Sequence, residues 1–338
     1  MKKDWAVYCP SCFWTGLYAK SIPVTDEELI KMGYHQGDLF HGHRDGNRCP
    51  NCGGRDLSYL TIIFGAPDIE EQKARQIADE YRIQTATATM GGVICNPMTA
   101  YKADGFIMDP GQVRYEKTTC ILFECAPTAA QGLKVVARCD HHNPGDAGFG
   151  KPAGEFFEAS SLGQLLNFLG IEATQEDRVI AAADHCLSAA YAGLCPGVTA
   201  EEVLVMRLPE LMKRENVSSE SDAMKGIEEA LHILNNPPAT VLLGGKRVAD
   251  IRELGNIPFT IEAGVMTGTP YMAKGDKRFP DKVNLSGTKE VVADFLGEVF
   301  MVEGRPTYPN GWASQNGLHQ PYGDANRGFA GAYDKPQS

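Results

Sequence analysis

The sequence has no apolar run near the roughly 18 residues that a bilayer crossing needs, and its Met-Lys-Lys-Asp start carries no apolar signal core. The expectation is a cytoplasmic protein with no membrane partner. Positive charge is also short. Against 43 Asp and Glu there are only 32 Lys and Arg, a formal charge of −11 over 338 residues. A protein that wraps duplex nucleic acid by charge needs a basic surface, so that class is excluded. Divalent cations and small anionic substrates, held by a few local groups, are not. There is no internal repeat and no low-complexity tract. Ten cysteines are too sparse for a disulfide scaffold. What is present is 43% hydrophobic residues with 22% charged, enough to bury a sizeable core and too apolar for a mainly disordered chain. The length asks for two domains and a small module.

Four of the cysteines form two Cys-Pro-x-Cys pairs, Cys9/Cys12 and Cys49/Cys52, the second followed by Gly53-Gly54. Two residues between thiolates let a tight turn point both sulfurs at one ion, and the glycines supply the positive φ that such turns need. Two pairs close a tetrahedral four-cysteine site with no open position, so the ion expected is structural Zn2+. The 36 residues between the pairs exceed the usual gap, which places an inserted element near 26–32. Residues 1–57 carry seven basic and seven acidic side chains and form a neutral zinc ribbon, leaving the whole −11 on the remainder. Ribbons of this kind serve as nucleic-acid grips, protein docks or staples.

From residue 58 strands and helices alternate. Tyr59–Phe64 is a short β-branched apolar run, and Asp68–Tyr81 carries Ile69, Ile77 and Tyr81 at helical spacing. Ile121–Phe123 and Lys134–Arg138 read as two further strands. Ser161 opens a helix with Leu162, Leu165, Leu166 and Leu169 on one face, stopped by Gly170, and another helix runs from Glu176 to Tyr191. This alternation predicts an α/β domain over 58–200 with a mostly parallel sheet. Helical segments at Ala200–Lys213 and Ser221–Leu234, short strands such as Thr240–Leu243 and a helix near Thr288–Leu296 predict a second, smaller α/β domain over 201–338.

The strand ends carry the chemistry. The first strand runs into Gly65-Ala66-Pro67-Asp68-Ile69-Glu70, the second ends in Glu124, and the third ends in Asp140-His141-His142 before the turn Asn143-Pro144-Gly145-Asp146. Parallel α/β sheets bind ligands at that carboxyl edge. On the helix from Glu176, Asp184 shares an apolar face with Ile180, Leu187 and Tyr191. A carboxylate buried there costs several kcal/mol unless a cation meets it. Oxygen ligands mixed with imidazole suit Mn2+, Mg2+ or Fe2+, and two such ions about 4 Å apart can activate water and offset phosphoryl charge. Taken singly, each residue has a plainer reading. Asp68 could be a helix N-cap, Glu124 a surface acid, His141-His142 a polar turn, and Asp184 the partner of a buried base.

The order of these elements resembles the DHH phosphoesterase superfamily of single-strand exonucleases, nano-RNA and cyclic-dinucleotide phosphodiesterases and family II pyrophosphatases. The matching residues are Asp68-Ile69-Glu70, Glu124, Asp140-His141-His142 and Asp184, at intervals of 54 residues from Glu70 to Glu124, 17 from Glu124 to His141 and 42 from His142 to Asp184. Glu158-Ala159-Ser160-Ser161-Leu162-Gly163-Gln164-Leu165-Leu166 looks like the Ser-Ser-led helix that follows Asp-His-His in that family. The resemblance implies catalytic Mn2+ or Mg2+ held by Asp68, Glu70, Glu124, His141 and Asp184, with Asp140, His141 and His142 assisting the chemistry. It implies hydrolysis of a phosphodiester in a short oligonucleotide or nucleotide, so the partner is a phosphate-containing small molecule or a short single strand, and a homodimer is compatible with it. It also implies that the C-terminal domain binds substrate. There Gly328-Phe329-Ala330-Gly331 after Arg327 is similar to the family's Gly-rich motif, and Arg327 or Lys274 with Arg278 could receive phosphates. Two ligand aspartates of the family are glutamates here, and Phe64 stands where many members have a histidine. These departures favour a first rival, a catalytically degenerate scaffold that binds nucleotide, nucleic acid or a protein through its ribbon. A second rival is a different metal hydrolase built on Asp140, His141, His142, His185 and Asp146.

Overall fold

The computed structural model describes residues 6–9, 11, 15–17, 22–23, 47–48, 51–52, 58–65, 67–97, 99–112, 118–128, 130, 133–243, 245–274, 282–288, 290–292 and 295. It also describes the short strands at 301–302, 305–308, 312–313, 322–324 and 329–333. Cys12, Cys49, Arg278, Arg327, Gly328 and the segment 26–32 lie outside the described residues. The chain divides into two units, Met1–Cys186 and Leu187–Ser338. Among the described residues, no helix is long and apolar enough to cross a membrane.

The elements of the first unit are β1 (Ala6–Tyr8), β2 (Thr15–Leu17), β3 (Ser58–Phe64), α1 (Ile69–Glu80), β4 (Gln84–Met90), β5 (Val93–Ile94), β6 (Gly105–Met108), β7 (Thr118–Phe123), β8 (Lys134–Cys139), α2 (Phe156–Ala159) and α3 (Ser161–Leu169). They are followed by α4 (Gln175–Tyr191), which crosses the division and loses helical geometry at Cys186. Four strands run parallel in the order β8-β7-β3-β4. Five of seven residues of β3 and all six of β7 are buried, the pattern of strands covered on both faces. Leu60, Ile62, Ile121, Leu162, Leu165 and Leu166 form the core, with Phe64 tilted against Phe123 at 5.4 Å between ring centres. Burying each such side chain contributes about 1.5–3 kcal/mol.

The two N-terminal strands are part of this sheet. β1 pairs antiparallel with the start of β3 (Val7 opposite Tyr59), and β2 with β1. On the same side of β3 as β1, farther along the strand, lies β4, a strand that the sequence reading did not find. Its Gln-Thr-Ala-Thr-Ala-Thr-Met run has no large apolar residue before its last position. Instead, Asp109 accepts from the Thr85 hydroxyl at 2.6 Å and the Thr87 hydroxyl at 2.8 Å, and Arg75 also donates to Thr87 at 2.9 Å.

Helix ends follow local chemistry. Ser160 caps α3 through Gly163 N–H at 2.9 Å, and Gly170 closes it at φ 67°, a left-handed value suited to glycine.

The second unit contains α5 (Ala200–Glu215), α6 (Glu220–Asn235), β9 (Ala239–Leu243), β10 (Lys246–Asp250), α7 (Thr260–Thr267), β11 (Tyr271–Lys274), β12 (Lys282–Ser286), β13 (Tyr322–Asp324) and β14 (Phe329–Tyr333). Its sheet runs β9-β10-β11-β12-β14-β13, and only β10 and β11 pair in parallel. Glu262 is buried there, satisfied by Arg207 at 2.6 and 2.8 Å and by the Tyr191 hydroxyl. The architecture is α/β, with a larger mixed sheet, parallel over β8-β7-β3-β4, and a smaller second sheet.

Candidate metal centre

Register brings the strand ends together. Phe64 pairs with Phe123 and Phe123 with Cys139, so the next residues, Gly65, Glu124 and Asp140, stand side by side at the carboxyl edge. The ladder continues one step beyond the strands, with Gly65 N–H donating to Phe123 O at 3.0 Å and Glu124 N–H to Cys139 O at 3.1 Å. Glu124 has φ 51°, a left-handed conformation that costs a non-glycine residue strain. A Cβ on Gly65 would come within 2.1 Å of Glu124 O, so glycine is needed to let the two strand ends approach.

Helices complete the cluster. His141 Nε2 lies 3.2 Å from Asp184 Oδ2 on α4, and its Nδ1 lies 3.2 Å from Ser161 Oγ at the start of α3. Ser161 Oγ donates to Glu124 Oε1 at 2.9 Å. On α1, Glu70 Oε1 accepts from Leu162 N–H at 2.8 Å, at the partly positive end of α3. Its other oxygen, Oε2, is buried with no hydrogen-bond partner among the described residues. Two donor groups result: Glu124, His141 and His142; and Glu70, Glu124, His141 and Asp184. Within each, the ligand atoms lie within 4.8 Å of one another.

Asp68 stands outside both groups. It caps α1 by accepting from Glu71 N–H at 2.7 Å, the plainer role, while also touching Glu124. Asp140 is a supporting residue. It accepts from the Tyr101 hydroxyl at 2.9 Å, from His142 N–H at 3.1 Å and from Arg138 at 3.1 Å, and lies 3.2 Å from His142 Nδ1. Burial opposes ionisation, but these bonds win and hold its carboxyl well below the usual range. Asp146 joins it through Arg138 at 3.2 Å, and His185 Nε2 lies 3.1 Å from Lys151 O. Ser161, Tyr101 and Gln164, which brackets Asp140 through its N–H and C=O, were missed as site residues. The only signal for them was the Ser160-Ser161 pair at a helix start.

Two further candidates belong to the second unit. Lys274 is exposed at the end of β11, and Gly331 pairs with Asn284 and Tyr322 in the second unit's sheet. Cys9 Sγ and Cys52 Sγ come within 3.7 Å, one from each cysteine pair. That separation is far beyond the roughly 2.0 Å of a disulfide, and it matches two thiolates at about 2.3 Å from one tetrahedral ion.

No family model, curated protein or solved structure matches the chain. Its chemistry therefore rests on the donors themselves. Burial, then the nearby Asp184 and Glu124 charges, pushes the Glu70 carboxyl well above its ordinary value. Burial, then Asp184 and Asp68, does the same to Glu124. Neither acid forms an ion pair with a Lys or Arg among the described residues. An orphaned buried oxygen in a set of carboxylates and imidazole fits a divalent cation.

The pH dependence of stability follows. In chelated protein, acids raised in the folded state bind more protons folded than unfolded. Stability is then full below about pH 4.5 and declines as pH rises through the folded values, by about 1.4 kcal/mol per unit of elevation. Asp140 loses its contribution only below about pH 4, outside this range. His185, held below its ordinary value by burial, acts in the opposite sense up to about pH 6.5. The melting temperature in EDTA should fall as the pH rises above about 4.5, and Mn2+ should remove the fall. A steady rise in EDTA over that range would refute it.

Proposed function

We propose that the first unit is a divalent-metal-dependent phosphoesterase of the DHH type that hydrolyses a phosphodiester in a short oligonucleotide or nucleotide. The observation that carries the proposal is the buried, unpartnered Glu70 Oε2 facing a donor set that also holds Glu124, His141 and Asp184. Glu70, Glu124, His141 and Asp184 would hold a Mn2+ or Mg2+, with His142 beside them as the assisting group. Such ions supply Lewis-acid stabilisation of phosphoryl charge and a lowered water pKa. With Nδ1–H given to ionised Asp140, the part-exposed His142 keeps Nε2 free to carry a proton to a leaving oxygen. Ser161 holds Glu124 and His141 in one arrangement. Residues 201–338 would bind substrate, with Lys274, Arg278, Arg327, Gly328 and Gly331 meeting phosphates. Cys9, Cys12, Cys49 and Cys52 would hold structural Zn2+.

Purified protein with Mn2+ should turn over at least one of a panel of short oligonucleotides, cyclic dinucleotides and pyrophosphate. Turnover should be lost in His141→Ala. The degenerate-scaffold reading has one observation in its favour. Phe64 is fully buried against Phe123, so the end of β3 offers no donor. No turnover of any substrate, together with tight nucleotide binding, would select that reading instead.

A further inference from the structure

His185 has an uncommitted acceptor just outside the two donor groups. Its Nε2 lies 3.1 Å from Lys151 O. A carbonyl oxygen can only accept, so Nε2 carries the proton and Nδ1 keeps a bare lone pair. That Nδ1 is buried and has no hydrogen-bond partner among the described residues. Leaving a buried acceptor unmatched costs about 1–3 kcal/mol, so such atoms are usually matched by a donor or a cation.

The neighbouring imidazoles do not supply the donor. His141 is placed against Ser161 and Asp184, and His142 against Asp140. The His185 ring stands edge-on to His141 with centres 5.1 Å apart, and His141 belongs to both donor groups. Two imidazoles bound to one ion at about 2.1 Å per bond place their ring centres about 4.5–5.5 Å apart. A metal-ligating histidine also characteristically gives its other N–H to a backbone carbonyl, which sets the tautomer. His185 and Lys151 O have that arrangement. Immediately after it the helix is broken, with Cys186 at φ −153° and ψ 58°, so His185 is not locked into the helical turn that would follow.

We propose that His185, through Nδ1, is a further ligand of the divalent ion that Glu70, Glu124, His141 and Asp184 hold. The proposal rests on the metal reading of that cluster. A second nitrogen donor among three carboxylates would shift the site's preference from Mg2+ towards Mn2+, Fe2+ or Co2+.

The test is Mn2+ binding by calorimetry to the full-length, chelated chain, with two variants that separate the ring nitrogens. His185→Gln puts an amide nitrogen near the Nε2 position, which keeps the bond to Lys151 O and removes the Nδ1 lone pair. His185→Asn puts an amide oxygen near Nδ1 and abandons Lys151. If Nδ1 is a ligand, His185→Gln weakens Mn2+ binding about 10–100-fold, His185→Asn weakens it less, and the absorption bands of the Co2+-loaded chain shift in His185→Gln. A purely structural histidine gives the reverse order, with His185→Gln the milder change, and that result overturns the proposal. Mn2+ uptake lost in Asp184→Ala but untouched in His185→Gln overturns it alone. A wild-type chain that takes up no Mn2+ overturns it together with the metal reading.

Discussion

Glu124→Gln should cost the protein its divalent cation and at the same time make the chelated chain more stable. Glu124 is common to both donor groups, and a neutral amide is a far weaker ligand for Mn2+ or Mg2+ than a carboxylate. Mn2+ affinity should fall by about 100-fold or more, equivalent to about 2.7 kcal/mol, and the proposed phosphodiester turnover by about 1,000-fold. Stability should move the other way. The Glu124 carboxyl is buried beside Asp184 and Asp68, whose charges add to its burial in opposing ionisation. An amide removes that charge and can donate to those same carboxylates, while Ser161 Oγ still has an oxygen to donate to. Glutamine is no worse than glutamate at φ 51°. A gain of about 1–2 kcal/mol, or a few degrees in melting temperature, is expected in EDTA, with a smaller upward shift on adding Mn2+ than in wild type. Sites that hold like charges together without their ion characteristically trade stability for function in this way. An Mn2+ shift equal to wild type would show that Glu124 is not a ligand.

The strand ends were legible because their chemistry is discontinuous with what precedes it. Glu124 follows Ile121-Leu122-Phe123, and Asp140-His141-His142 follows a strand, so each titratable residue marks the edge of a buried run. Asp184 was legible for the opposite reason, as one acid inside an apolar helical face. What the reading missed lacked that contrast. β4 is built from Thr and Ala and is held by hydroxyls bonded to Asp109, a partner more than twenty residues away. Tyr101 supports Asp140 from 39 residues away, and nothing in its own neighbourhood marks it. Asp68 shows the converse. Its position at a helix start had two readings, and the capping bond to Glu71 satisfies the simpler one. The glutamates also have a physical role that a family pattern does not convey. Glu70 reaches Leu162 N–H with one oxygen, while the other is buried with no Lys or Arg to meet it among the described residues.

Cys9→Ser should remove the zinc and destabilise the first unit through its sheet rather than through its metal centre. Cys9 directly follows β1, is fully buried, and has its sulfur 3.7 Å from that of Cys52. β1 in turn pairs with the start of β3, the central parallel strand that leads to Gly65 and Glu70. A thiolate ion site there would tie residue 52 back to residue 9 and hold β1 and β2 on the sheet. Structural zinc in small domains is worth about 10–16 kcal/mol of apparent binding energy at neutral pH, and one missing thiolate forfeits much of it. The expected result is a zinc content falling from about one per chain to near zero, with a drop in melting temperature larger than any single core truncation would give. The four parallel strands remain buried between helices, so Mn2+ binding should survive below the new melting temperature. Cys95→Ser is the matched control, because Cys95 is also buried but its sulfur faces Thr99 O instead of another thiol. Zinc retained in Cys9→Ser, or lost equally in Cys95→Ser, would falsify the thiolate site. Loss of zinc together with loss of Mn2+ binding would show instead that β1 and β2 hold the metal centre in place, which the pairing of β1 with the first two residues of β3 argues against.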